Sequence, residues 1–385
     1  MEHHDDGKTM IIELKKDDDK KHNKEDDATL THSSLFPVKV KGGTVFRNPL
    51  FLSCVLLILL IVAVFLLISG MGNKKPPAET TADTSNETTL APSVTNEQKD
   101  PPAVPVGSLH VSGLSEAARV GGDISSDFAL LTDATSLKAI AAKNANERMY
   151  PASLTKIMTF LVAYDALSDN LDRQLTLTDS IKSRYPEGSR VGIDKGDILT
   201  VEQCMYAMLL ESDTDAVLML VEATAGNEAA FAAMMNQKAE EFGLTDTHFT
   251  GANGLHDKNH YTTPAEMAVI FAKALQNELF HKIITTQVHV TYLGYYKDGV
   301  YTTYRMTFFN STIKNRFEGN NISTTLPRGI QITGGKTGYT DEAAFCQAAL
   351  ATDASGKEYI AILGHASSSS SSASDTACLY TNYLK

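Results

Sequence analysis

Two residues pose the chemical question. In "ERMYPASLTKIMTF" (Glu147 to Phe160), Ser153 and Lys156 sit in an otherwise apolar run. On a helix, positions i and i+3 share a face, so this hydroxyl and this amine can meet. Ser153 follows Pro151 and Ala152 and falls in the first helical turn. Backbone N–H groups there have no intrahelical partner and the dipole end is positive, so an oxyanion forming at that point is stabilised. An ammonium cannot accept a proton. Apolar surroundings lower a lysine pKa, and a neutral amine can then activate a serine. Alone, the S-x-x-K spacing also describes a capping serine beside a lysine on a wet face. Two other segments raise its weight. "LLESDTDAVLML" sets Ser212 and Asp213 between apolar helical stretches, and "GIQITGGKTGYTDEAAF" sets Lys336, Thr337 and Gly338 near the end of a strand.

The elements that must position these residues are legible in outline. "FALLTDA" and "LKAIAAK" read as a hairpin near the start of the folded part. Thr200 with Gln203, and Thr263 with Pro264 and Glu266, have the pattern of capping boxes that open helices. "NEAAFAAMMNQKAEEFGL" reads as a third helix. From residue 285 onward the character turns to strands, in "TQVHVTYLGYY", "GVYTTYRMTFF", "GIQITGGKTG", "AAFCQAALAT" and "EYIAILGH". "ASSSSSSAS" reads as a flexible loop before a closing helix, "DTACLYTNYL". Strands at both ends with helices between them predict a sheet whose N-terminal hairpin pairs with C-terminal strands, around an inserted helical subdomain. That is an α/β (α+β) arrangement.

The rest of the chain sets location. "LFLSCVLLILLIVAVFLLI" (Leu50 to Ile68) contains no charge. As a helix it spans about 29 Å, enough to cross a bilayer core. A polar tail precedes it, so it reads as an uncleaved transmembrane anchor (50–70) rather than a signal peptide. Residues 1–49 form a mixed-charge tail expected to be disordered and cytoplasmic. Residues 71–107 are rich in Pro and Thr and read as a linker. The folded domain is expected over 108–385, outside the cell. The net charge of −12, with no long basic run, argues against nucleic-acid binding. Four dispersed cysteines give no CxxC pair and hence no zinc signature.

S-x-x-K, S-D-N and K-T-G together mark class A β-lactamases and penicillin-binding proteins, and the three occur here in that order if Ser212-Asp213-Thr214 is allowed for the second. With their flanks, "PASLTKIMT", "LTVEQCMYAMLLESDTDA", "GANGLHDKNHYTTPAEMA" and "GGKTGYTDEAAFC" closely resemble the serine-type D-Ala-D-Ala carboxypeptidases, the low-molecular-mass penicillin-binding proteins of peptidase S11 type. The likeness runs over roughly 108–385. It implies a β-lactamase/transpeptidase-like fold, a three-layer αβα sandwich with an antiparallel sheet beside an all-helical subdomain, with the active site between them. It implies bacterial origin, a peptidoglycan stem peptide ending in D-Ala-D-Ala as substrate, β-lactams as inhibitors, and no metal or cofactor.

The resemblance also implies residue roles. Ser153 would be the nucleophile and Lys156 its general base. Ser212 would pass a proton to the leaving D-alanine. Lys336 and Thr337 would bind the terminal carboxylate, and Gly338 would let the strand lie close to the substrate. The backbone N–H groups of Ser153 and Tyr339 would form the oxyanion hole. One position departs from the family. The second motif is usually Ser-x-Asn, and here it is Ser212-Asp213-Thr214. Three readings follow: Thr214 partly replaces the amide, turnover is reduced, or another side chain fills the gap. Asp215 reads as structural, as do Asn253 and His256 in "GANGLHDKNH". His260 and His365 show no paired Asp or Cys pattern. Tyr295, Tyr296, Tyr301 and Tyr304 read as cross-strand packing. A β-lactamase of class A would need a glutamate motif beyond Ser212 that is not found. A D,D-endopeptidase, or a catalytically impaired wall- or β-lactam-binding protein, would keep the same residues.

Overall fold

A six-stranded sheet supports the site. The computed structural model describes residues 109–184 and 187–385. The expected span, tail and linker therefore lie outside the described residues. Strands β1 (Ala118–Arg119), β2 (Phe128–Asp133), β3 (Ala139–Lys143), β8 (Gln331–Thr340), β9 (Ala344–Thr352) and β10 (Glu358–Ala366) lie in the order β1-β3-β2-β10-β9-β8. The N-terminal hairpin β2–β3 joins the C-terminal strands through antiparallel pairing of β2 with β10. The expected antiparallel sheet has one exception, because the two-residue β1 runs parallel to β3. β8 is an edge strand.

Both faces of this sheet are buried, as the strand sequences imply. Leu130, Ala348, Leu350, Ile360 and Ile362 pack into one core, while Leu131, Ala349, Ala351, Ala361 and Leu363 pack into a second. The alternation follows the two-residue period of a strand, and strands covered on both sides read as nearly continuous apolar runs. Helix α8 (Ser369–Tyr383) supplies Leu379 and Tyr380 to the second core. It begins inside the serine run, which is therefore not a loop. Ser368 caps it by accepting from Ser371 N, and Ser372 and Ala373 are already buried. Serine is a good cap and only a mildly poor helix interior residue.

The inserted subdomain holds α1 (Thr155–Leu167), the short α2 (Asp179–Lys182), α3 (Val201–Glu211), α4 (Thr214–Ala225) and α5 (Glu228–Glu241). Helices α6 (Pro264–Leu275) and α7 (Glu278–Thr285) return the chain toward the sheet. The subdomain is not all-helical. β4 (Gln174–Thr176), β5 (Ile198–Thr200), β6 (Val288–Lys297) and β7 (Val300–Phe309) form a separate sheet in that order. The strand pattern at 285–309 was legible, but its partners are two three-residue strands too short to signal themselves. The tyrosines of the β6–β7 hairpin do pack across it, Tyr296 on Tyr301 and Tyr295 on Tyr304. Helix α3 opens with the complete capping box of Thr200 and Gln203. Helix α6 makes only half of one. Thr263 accepts from Glu266 N, but the Glu266 carboxylate turns to Thr245 N, Asp246 N and Thr247 Oγ1.

Candidate active site

Ser153 lies in a tight 3-10 turn, Ala152–Leu154, that leads directly into α1. The turn is held in an uncommon shape, with Ala152 at φ 47°. A non-glycine residue stays in that region only when its surroundings fix it. Here two contacts do so. Thr155 Oγ1 donates to Ala152 O at 2.7 Å, and Gly254 lies so close that a Cβ there would stand 1.9 Å from the same carbonyl. His260 locks the threonine. Its Nδ1 accepts from Thr250 N at 3.1 Å, so Nε2 carries the proton and donates to Thr155 Oγ1 at 2.7 Å. Burial brings the His260 pKa down to about 4, which keeps the ring neutral near pH 7.

One turn along, Lys156 is 2% exposed. Its Nζ donates to Ser153 Oγ at 3.0 Å and to Asn253 O at 2.7 Å. Burial brings its pKa down to about 7, against the opposing pull of Asp213 and Glu228. A neutral amine keeps a proton for the Asn253 carbonyl while its lone pair faces the Ser153 hydroxyl.

A second wall comes from the α3–α4 junction. Ser212 ends α3 in the left-handed region, φ 63°. Its Oγ is buried with no hydrogen-bond partner among the described residues. Asp213 caps α4 by accepting from Ala216 N, and also accepts from Val191 N at 2.8 Å. Burial pushes its pKa up to about 6. Thr214 is 1% exposed, and its N–H donates to Ser189 O at 2.8 Å. A Cβ on Gly188 would stand 2.3 Å from Thr214 Oγ1, so the 187–191 segment covers that hydroxyl. Asp215 is buried and pairs with the Arg190 guanidinium, which ties down the same segment.

The third wall is β8. A Cβ on Gly338 would come within 3.1 Å of Ser153 N and 3.0 Å of Pro151 O, so glycine eases the close approach of the strand to the Ser153 turn. Tyr339 projects outward, its hydroxyl donating to Asp341 at 2.8 Å. Lys336 is fully buried, with Nζ donating to Thr337 O at 2.9 Å. Burial holds its pKa well below the usual lysine value, with help from the positive charges of Lys156 and Arg316. Thr337 Oγ1 lies 3.2 Å from Ser311 Oγ.

A cleft of about 280 Å³ results. Of the residues singled out by motif, Ser153, Lys156, Thr214 and Tyr339 line it, while Ser212, Lys336, Thr337 and Gly338 are not in its lining. Sequence reasoning passed over Gly188 and Ser189, and it took Asn253 for a structural loop residue. Asn253 lines the cleft at 4% exposure, and neither its Oδ1 nor its Nδ2 has a partner among the described residues. A buried amide left without partners costs about 1–3 kcal/mol, and this one, in the cleft lining, is free to bond a ligand there. The available signal was the asparagine before glycine, a turn pattern that does not say where the side chain goes. His365 does meet an aspartate, Asp127, but that pair lines a different cavity.

This mixed α/β fold, with a serine–lysine pair between sheet and helical lobe, is the transpeptidase-like architecture. The Streptomyces K15 DD-transpeptidase superposes with a TM-score of 0.58 at 25% identity, over 66% of this chain and 94% of that one. Penicillin-binding protein 5 of Haemophilus influenzae shares the fold, with a TM-score of 0.56 at 24% identity. Residues 114–367 match the Peptidase S11 model, D-alanyl-D-alanine carboxypeptidase, and the chain belongs to that family. A D-alanyl-D-alanine carboxypeptidase of Bacillus subtilis is 29% identical over 227 residues, 58% of this chain and 53% of that protein. One from Streptomyces is 30% identical over 220 residues, 54% of this chain and 70% of that one. The chain spans just over half the length of the B. subtilis relative and of one from H. influenzae, 53% and 55% respectively.

Proposed function

We propose that this protein is a serine D,D-carboxypeptidase that removes the terminal D-alanine from peptidoglycan stem peptides ending in D-Ala-D-Ala. One observation carries the reading: Lys156 Nζ lies 3.0 Å from Ser153 Oγ in surroundings that bring the lysine to about pKa 7. Lys156 takes the Ser153 proton as Oγ attacks the penultimate D-alanine carbonyl. The oxyanion rests on the N–H groups of Ser153 and Tyr339; one such donor is worth about 100- to 1000-fold in rate. Ser212, whose hydroxyl has no partner among the described residues, relays the proton that Lys156 took to the departing D-alanine amine. The terminal carboxylate meets the hydroxyl of Thr337, whose backbone carbonyl accepts from the Lys336 amine. The Asn253 amide binds on the acyl side, where Thr214 offers none. Water then cleaves the ester and frees Ser153.

A β-lactam would acylate Ser153 by the same attack and leave slowly. The uncharged run Leu50 to Ile68 supports anchoring by one span, with the N-terminus cytoplasmic and the catalytic domain outside. The test pairs fluorescent-penicillin labelling with D-alanine release from a D-Ala-D-Ala peptide. Both are expected from the wild type and neither from Ser153→Ala. Labelling that persists in Ser153→Ala sinks the acyl-enzyme mechanism.

A further inference from the structure

Six of the seven large hydrophobic side chains most exposed among the described residues lie on the β6–β7 hairpin: Val288, Val290, Tyr292, Tyr296, Val300 and Tyr301. On β6, Val288, Val290, Tyr292 and Tyr296 are an even number of residues apart and share a face. Tyr301 pairs with Tyr296 across the hairpin and joins that face, while Val300 sits at the turn. A Cβ on Gly294 would stand 2.2 Å from the Tyr301 hydroxyl, so this ring lies across the face rather than away from it. The opposite face is already in use. His289 stacks on Tyr206 of α3 with centroids 3.7 Å apart, Gln203 donates to Thr291 Oγ1 at 2.7 Å, and Tyr304 donates to Asp197 at 2.5 Å. Packing on the helical lobe thus accounts for the inner face and leaves the outer one bare, with Tyr292 and Tyr296 60% and 66% exposed. A contiguous apolar patch of this kind marks an interaction surface.

Charge selects what covers it. Arg305 lies on the same face, opposite Tyr292, and Lys297 is at the turn. Lys314 stacks 3.0 Å over the Phe309 ring at the hairpin's base. Asp298 is the only acidic residue between Val288 and Phe309, in a chain of net charge −12. A second copy laid face to face would set Arg305 and Lys297 against like charges, with no carboxylate on the face to receive them. A bilayer surface receives every group. Tyrosine rings settle at the headgroup level, the valines reach below it, and the cations meet anionic headgroups. The chain also brings a bilayer within reach. Residues 69–108 separate the uncharged run Leu50 to Ile68 from the first described residue. A flexible coil of that length spans about 35 Å r.m.s., roughly twice the radius of gyration of a domain this size. A tether of that reach gives an effective concentration on the order of millimolar, at which a modest patch suffices.

We propose that the outer face of the β6–β7 hairpin rests on the anionic surface of the bilayer that the Leu50 to Ile68 run enters, an inference that builds on the single-span anchoring proposed above. The run tethers the domain and the hairpin orients it. Strand β7 ends at Phe309, and Ser311, two residues on, has its Oγ 3.2 Å from Thr337 Oγ1 beside the cleft. Docking the hairpin therefore sets the height and tilt of the Ser153 cleft over the bilayer.

The test uses the full chain reconstituted into vesicles of phosphatidylcholine and phosphatidylglycerol. The chain contains no tryptophan, so Tyr296→Trp reports from one place. Its emission should fall at least about twofold when the vesicles carry phosphatidylcholine brominated on its acyl chains, as expected of an aromatic ring at the headgroup level. Glu240→Trp, an exposed position on α5, should not be quenched. Adding Lys297→Glu and Arg305→Glu to Tyr296→Trp should restore most of the emission, and so should leaving out phosphatidylglycerol. Every variant should take up fluorescent penicillin at the wild-type rate, because none of these residues lines the Ser153 cleft. A Tyr296→Trp chain that floats with the vesicles but is not quenched overturns the proposal and leaves the anchor standing. Emission that instead shifts only with protein concentration gives the face to a second copy and overturns it as well. A wild-type chain that does not float with the vesicles overturns the anchoring reading, and the proposal with it.

Discussion

The carbonyl oxygen of Asn253 accepts a hydrogen bond from Lys156 Nζ at 2.7 Å, across 97 residues of sequence. That contact fixes the Lys156 amine on one side while Ser153 Oγ holds it on the other. The loop from Gly251 to Leu255 is thus part of what supports the Ser153–Lys156 pair.

The acylation rate should follow the Lys156 titration. The free amine is the active form, and its pKa is brought to about 7. Penicillin acylation should therefore fall about tenfold per pH unit below 7 and level off above it. Asp213, pushed up to about 6 by burial, titrates in the same window and should add curvature near its own value. Lys156→Arg, which cannot lose its proton, should acylate at least about 1000-fold more slowly at every pH. Stopped-flow labelling from pH 5 to 9 measures both, and a flat profile in the wild type excludes Lys156 as the base.

Asn253→Ala should separate activity from stability. It deletes an amide that has no partner within the described residues but leaves the backbone carbonyl for Lys156. D-Alanine release should fall about 10- to 100-fold in kcat/KM, while urea unfolding shows no loss of stability. Thr214→Ala should cost less activity, because Gly188 already covers that hydroxyl. If Thr214→Ala proves the more damaging, the acyl-side contact belongs to the threonine.

Gly254→Ala should damage fold and activity together. Its φ of +78° is strained for alanine, and the added Cβ would meet Ala152 O at 1.9 Å. A loss of about 2–4 kcal/mol is expected by denaturant titration, with slower penicillin labelling in the fraction that remains folded. A folded variant that labels at the wild-type rate would mean that the Ala152 turn does not need this contact.

Acid should loosen the nucleophile's turn through His260. Its folded pKa of about 4 lies below the unfolded value near 6.5. The unfolded state therefore binds more protons between these values, and stability is lost as pH falls through them, by about 1.4 kcal/mol per unit. Asp213 acts in the opposite sense between about 4 and 6, because its folded pKa is raised. The two nearly cancel between about 4 and 6, so urea midpoints at pH 4, 5 and 6 should change little in the wild type and rise toward acid in His260→Gln. Parallel series would remove His260 from the account.

Sequence alone determined the elements and the reactive pair. The i, i+3 spacing brings Ser153 and Lys156 together on any helix, the Thr200–Gln203 box starts α3 wherever it packs, and near-continuous apolar runs commit β9 and β10 to a sheet buried on both faces. These features are local, set by a few neighbouring dihedral angles. Tertiary structure decided what depends on distant segments. It turned the Glu266 carboxylate from its own cap to the 245–247 turn and started α8 within the serine run. It gave the β6–β7 hairpin a sheet of its own, and it brought Asn253 and Gly188 to the cleft. No periodicity encodes such contacts, because a loop's destination depends on which surfaces the packed core leaves free. The lysine in an apolar helix was visible from the first, but the burial that brings it to about pKa 7, and the carbonyl that holds it, exist only in the folded chain.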